Sequence, residues 1–259
     1  MENKPGAAGA IGSDLVAKAR PDGYTLLYAT ADTMSIGPAV KANLPYKVPD
    51  DFTFVARTLD FAYIIVVNPK GPIKSMSDLI AYAKANPGKL RYGTAGVGSV
   101  PHMATALIAN AASIDLVHIP YGGVAPALTA LMGGFVDFVV AAPSAKSYTD
   151  AGTLLAIATA GKERTPNFPG VPTLAESGLP NLIVTSWWGI LAPAGTPEPV
   201  LARLRKEVAE TMRDPKIHEG IRAAGFDPAY LDHDAFKDFV LKDLEQWKAV
   251  AKSANITVE

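Results

Sequence analysis

The sequence predicts an α/β protein built from short strands that alternate with helices. Three observations carry that prediction. Apolar runs of strand length alternate with helix-length stretches along nearly the whole chain. Proline and glycine punctuate the joins, as in "RPDG", "NPG" and "PAGTP". Four strand-like runs end in loops of small residues: "YTLLYATADTMS", "LRYGTAGVGS", "FVVAAPSAKS" and "LIVTSWWGI". Repeated strand-then-helix units predict a mainly parallel sheet covered by helices.

The elements follow in order. "AAGAIGSDLVAKA" (Ala7 to Ala19) reads as a helix of small residues, stopped by "RPDG". "YTLLYAT" is a short apolar strand, and "FTFVARTL" and "AYIIVVNP" are two more, closed by Pro69 and Gly71. "SMSDLIAYAKANPG" is a helix that Ser75 or Ser77 can cap, with a Pro-Gly stop. "KLRYGT" is a strand, and "VPHMATALIANAA" a helix with Met103, Leu107, Ile108 and Ala111 on one face. "DLVHIPY", "FVDFVVAA" and "TLLAIATAG" are strands, and "VAPALTALMGG" is a helix. A long strand-like run, "LIVTSWWGILAPAGTP", precedes two amphipathic C-terminal helices. The first repeats Val200, Leu204, Val208 and Met212, the second Phe236, Val240, Leu244 and Trp247.

Composition excludes several classes of function. The chain has 259 residues, of which 49% are hydrophobic and 19% charged, which suits a sizeable core and not a disordered chain. Its formal charge of −1 comes without a basic block, so no nucleic-acid partner is expected. The absence of cysteine removes disulfides, thiolate metal sites and a thiol nucleophile. No apolar run approaches the roughly 18 residues of a membrane span. "MENKPGAAGAIG" lacks the apolar region of a signal peptide, so export would imply that such a segment has been removed from this chain.

The small-residue loops are the candidate site. Ligands of open α/β sheets bind outside the carboxyl ends of strands, where small residues let backbone N–H groups come close. In "YGTAGVGSVPHM", Gly93, Thr94, Ala95, Gly98, Ser99 and His102 join a strand to a helix with Pro101 in its first turn. This is not a Walker A loop, because Gly98 stands where Lys would precede the Ser/Thr, and Pro101 breaks the dinucleotide fingerprint. The remaining geometry suits an anion at a helix start, with Ser99 either contacting it or only capping its own helix. Tyr121 and Gly122 in "PYGGVAPAL" repeat the arrangement, as either a second loop on the same pocket or a plain turn. Ala142, Pro143 and Ser144 end another strand, and Thr30, Ala31 and Asp32 another, with Asp32 able to cap a following helix. Trp187 and Trp188 point to opposite faces of their strand, so at most one, taken as Trp188, faces a pocket.

Catalysis and metal chemistry find little support. Ser99 and His102 lie three apart, but "GSV" is not a nucleophile elbow, and no acid is evident to orient the histidine. His118, inside apolar "LVHIPY", reads as a buried core residue, and His218 and His233 as solvated ones. "HE" at His218–Glu219 has no second histidine at metal spacing, so neither a metal nor a cofactor is expected.

Six segments then carry a resemblance. "ENKPGAAGAIG", "ARPDGYTLLYAT", "SMSDLIAYAKANPGKLRYGTAGVGS", "IPYGGVAPALTALMGGFVDF", "RTPNFPGVPTLAESGLP" and "SWWGILAPAGTPEPVLARL" occur in that order over nearly the whole chain. Together they resemble the extracytoplasmic solute receptors of tripartite tricarboxylate transporters, the Bug family. The resemblance implies a class II periplasmic binding protein: two α/β domains, joined by crossover strands near Ala62–Tyr63 and Ser186–Trp188, closing over a ligand in a cleft. Residues 1–62 and 187–259 would form domain I and residues 63–186 domain II. It further implies a periplasmic monomer that captures a small organic carboxylate through N–H groups, hydroxyls and water, and delivers it to a two-component membrane permease. A sensor with the same binding domain is the alternative, and a serine hydrolase using Ser99 and His102 a more distant one. Two departures stand out. Family members begin earlier, with a strand, a "PFPPGG"-like loop and a helix, so domain I is expected to lack a strand and to expose a sheet edge and apolar surface. Family members also often carry Asp or Asn where this chain has Ala141 and Ala142, which implies a less hydrophilic acid or one without an amine.

Overall fold

A computed structural model describes residues 2–4 and 6–253. In chain order the strands are β1 (Leu27–Thr30), β2 (Phe52–Ala62), β3 (Ile64–Val67), β4 (Leu90–Thr94), β5 (Leu116–Pro120), β6 (Phe138–Ala141), β7 (Leu155–Thr159), β8 (Thr185–Pro193) and β9 (Asp227–Leu231). The helices are α1 (Ala10–Ala17), α2 (Gly37–Val40), α3 (Met76–Ala85), α4 (Val100–Ala112), α5 (Val124–Met132), α6 (Lys146–Asp150), α7 (Glu198–Thr211), α8 (Pro215–Ala223) and α9 (His233–Ser253). The chain divides into two compact units. The first holds Met1–Asp60, Trp187–Ala223 and Asp227–Glu259; the second holds Phe61–Ser186 and Ala224–Phe226.

The first unit is built on a four-stranded sheet of order β1-β8-β2-β9, with β1 antiparallel to β8 and β2 to β9. Its aromatic core is set by α9. Phe236, Val240, Leu244 and Trp247, the face read from the sequence, are all buried. Phe236 meets Phe54 edge-on at 5.3 Å and Trp187 at 5.1 Å. Gly189 leaves room for that ring, since a Cβ there would come within 2.4 Å of Phe236 Cζ and 2.8 Å of the Ala56 carbonyl oxygen. The outer strand β1, the residue before it and the neighbouring α1 expose apolar side chains, among them Tyr28, Leu26, Ile11 and Leu15.

The second unit is built on a five-stranded sheet of order β5-β4-β6-β3-β7. Strand β4 runs parallel to β5 and β6, whereas β3 runs antiparallel to β6 and β7. The expectation of a mainly parallel sheet is therefore wrong for both units. The reason lies in the joins. A single residue separates β2 from β3, so β3 enters the second sheet at the edge where β4, β5, β6 and β7 end. Alternation along the sequence gives the order of elements but not which strands pair. Three elements escaped the sequence reading: α6, α8 and β9. Strand β9 contains Pro228 and is an edge strand, the position at which a strand tolerates proline.

The local signals match the structure in part. Ser75 caps α3, accepting the Asp78 N–H at 3.1 Å. On α4 the buried face is Met103, Ala104, Ile108 and Ala112, while Ala111 is exposed, so the predicted stripe was rotated by one position. Asp32 opens a π-helical turn, Asp32–Ile36, and does not cap it. Such turns are rare and recur at functional sites.

Candidate ligand-binding site

In the second unit the parallel pairing of β4 with β5 and β6 sends three small-residue loops to one edge of the sheet. Thr94, Pro120 and Ala141 end their strands there, with Ile64 of β3 opposite Ala141. Helix α4 starts after the first loop and α5 after the second, so two helix N-termini open on that edge. The first N–H groups of a helix have no partner inside it, and the aligned peptide dipoles make that end positive.

The first loop is largely self-bonded. Gly93 is buried in its strand, where a Cβ would press on Ala127, Val139 and Tyr121 at 3.3 to 3.4 Å. The Thr94 hydroxyl accepts the Gly96 N–H at 3.2 Å and lies 2.6 Å from His118 Nε2. The Ser99 hydroxyl donates to the Gly96 carbonyl at 2.8 Å, so Ser99 stands at the N-cap position without capping through its side chain. The Gly98 N–H is accepted by His102 Nδ1 at 3.2 Å. Among the described residues nothing accepts the N–H of Ala95 or Val97. These two amides are the donors in the loop that no described group takes up. Among the described residues, the Ser99 hydroxyl is engaged by Gly96 and His102 Nδ1 by Gly98.

His118 was misread as a core residue. It lies on the edge strand β5, half-buried, in a stack that runs from His102 (4.2 Å between ring centroids) through His118 to Tyr92 (4.9 Å). Burial lowers the pKa of both imidazoles, and His102 beside it helps to bring His118 down to about 4. Neither its stacking on Tyr92 nor its contact with Thr94 has a local sequence signal, because both follow from the β4–β5 pairing register. His218, read as solvated, instead lies 2.8 Å through Nε2 from the Met212 carbonyl.

The other two loops of this edge are less engaged. Tyr121 donates its N–H to the Thr94 carbonyl at 3.0 Å, which ties the second loop to the first, while Gly122 is exposed with open space around it. After β6, Ala142 is half-buried and Pro143 buried, and Ser144 is exposed in a 3-10 turn. Gly225 packs directly on Pro143, with left-handed φ and no space for a Cβ. A cavity of about 300 Å³ lies at the opposite edge of the same sheet, lined by Val67, Ile73, Tyr82, Leu90 and Asp137 among others. It touches none of the three loops, and Asp137 there is held by Arg91.

Thr30, Ala31, Asp32 and Trp188 belong to the first unit. Thr30 is the cross-strand partner of Trp188, and the Thr33 hydroxyl closes the strand end on the Thr30 N–H and carbonyl. The two tryptophans do face opposite ways. Trp187 is buried against Phe236 and Phe239, while Trp188 is half-buried, edge-on to Tyr28 at 5.6 Å.

Small-residue strand ends beside helix N-termini suit the class of proteins that receive small anionic solutes. Comparison with known proteins makes that class specific. A family model described as tripartite tricarboxylate transporter family receptor matches residues 1–256, and the chain belongs to that family. Among solved structures, the R. palustris protein Rpa4515 with adipate is 30% identical, with a TM-score of 0.95 over 99% of this chain and 86% of that one. The periplasmic binding protein BugD is 31% identical, with a TM-score of 0.94 over 100% and 87%. MatC from Rhodopseudomonas palustris, solved with malate, is 30% identical, with a TM-score of 0.86 over 95% and 85%. The fold is that of the two-domain periplasmic binding proteins. Among the described residues no helix is long and apolar enough to cross a membrane.

Proposed function

We propose that the protein is a periplasmic receptor, not an enzyme, that binds a small dicarboxylate on the strand-end edge of its second unit. The observation that carries this reading is the convergence of three loops and the N-termini of α4 and α5 on one edge. A carboxylate suits such an edge, because helix N-termini and free loop amides hold anions without a fixed cation. The free amides of Ala95 and Val97, the turn at Gly122 and the Ser144 hydroxyl are the proposed contacts. The adipate and malate bound by two relatives support the chemical class. Ala141 and Ala142 offer no side-chain acceptor for an amine, which favours a plain diacid over an amino acid.

The protein would act as a monomer and pass its ligand to a two-component membrane permease. Calorimetric titration with a panel of small dicarboxylates tests the binding claim. One or more should bind saturably with 1:1 stoichiometry, and Thr94→Val with Ser99→Ala should weaken that binding by disordering the first loop. If no diacid binds, or the double variant binds as tightly as wild type, this reading fails.

A further inference from the structure

The loop from Gly93 to Ser99 contains three glycines, two of them in the left-handed region (Gly96 at φ 121°, Gly98 at φ 75°). Glycine leaves a backbone conformationally free, so something else must hold this segment still. The groups in place are two imidazoles from different elements. His118, on β5, lies 2.6 Å from the Thr94 hydroxyl, which in turn accepts the Gly96 N–H. His102, in the first turn of α4, accepts the Gly98 N–H through Nδ1. The rings stack at 4.2 Å with 17° between their planes, so neither can turn without disturbing the other.

We infer that His102 and His118 act as one positioning unit for this loop: His118 sets the Thr94 hydroxyl, and His102 anchors the Gly98 amide only as a neutral imidazole with its proton on Nε2. The inference deepens the proposed function and rests on it where ligand affinity is concerned. The two histidines respond differently to a proton. The Thr94 hydroxyl can donate or accept, so a protonated His118 still bonds to it. Protonation of His102 Nδ1 would instead aim a donor at the Gly98 N–H, and the anchor would be lost.

The surroundings keep both rings neutral near pH 7. The titratable group stacked on them from β4 is Tyr92, itself pushed up to about 12 by burial. Among the described residues, burial lowers His102, and burial followed by His102 lowers His118, with no Asp, Glu, Lys or Arg contributing to either shift. The loop should therefore be held at neutral pH and released only as pH falls through the lowered His102 value, which lies below the ordinary 6.5.

The test begins without ligand. Imidazole 15N spectra should show His102 with its proton on Nε2 at neutral pH, and the Gly98 amide resonance should follow the His102 titration. Finding the proton on Nδ1, or a Gly98 amide indifferent to that titration, overturns the inference. Calorimetry with malate and with adipate follows, on wild type, His102→Asn and His102→Leu. Asn places an acceptor where Nδ1 stands but does not titrate, whereas Leu removes the acceptor. As pH falls from about 7.5 to about 4.5, wild type should lose several-fold more affinity than His102→Asn, whose ligand ionises identically. His102→Leu should already be weak at neutral pH. Equal pH profiles in wild type and His102→Asn overturn the inference. If wild type binds neither acid, the proposed function falls, and the ligand-free spectra still decide whether His102 anchors the Gly98 amide.

Discussion

Trp187 donates its indole N–H to the Asp243 carboxylate at 2.9 Å, tying the middle of β8 to α9. Burial pushes the Asp243 carboxyl above its ordinary value of 3.8. The unfolded chain thus releases this proton first as pH rises, and above that value the ionised group costs the fold stability. Asp243→Asn keeps an acceptor for Trp187 and removes the charge. At pH 7 it should be as stable as wild type or more so by urea unfolding. Asp243→Leu leaves a buried N–H unpaired and should cost about 1–3 kcal/mol.

The N-terminus of α3 offers a sharper local test, because the sequence allowed two caps and the structure uses one. Ser75 accepts the Asp78 N–H, while Ser77 only shares a hydrogen bond with Ser75. Ser75→Ala should lower stability by about 1 kcal/mol, and Ser77→Ala by a small fraction of that. Equal losses in chemical denaturation would mean that the cap is shared.

Stability should also depend on pH through the stacked histidines. Both are depressed in the folded state, His118 to about 4, from an ordinary value of 6.5. Below 6.5 the unfolded chain takes up protons that the fold refuses, so stability falls as pH drops from 6.5 towards 4. His118→Gln, which keeps a polar atom near Thr94 without titrating, should flatten that decline in melts recorded across this range. A decline as steep as that of wild type would assign it to other groups.

Much of this architecture was legible wherever a residue pattern depends on local geometry alone. The face of α9 from Phe236 to Trp247, the Ser75 cap and the strand-end loops at Thr94, Tyr121 and Ala142 all follow from period, capping chemistry and residue size. What escaped depends on which strands pair. The antiparallel entry of β3, the edge strand β9 with its Pro228, and the contact of His118 with Thr94 across the β4–β5 register have no signature within a short window. Thr94 and Ser99 were correctly placed at the loop, yet their hydroxyls turn inward, which residue type cannot reveal.

The most direct test of the central claim is a 15N–1H NMR titration of the protein with adipate and with malate. Saturable shifts are expected in the second unit, concentrated at Ala95 to Ser99, Tyr121 to Val124 and Ala142 to Ser144. Absence of saturable shifts with either diacid, or shifts confined to the Val67–Tyr82 side of the sheet, would contradict it.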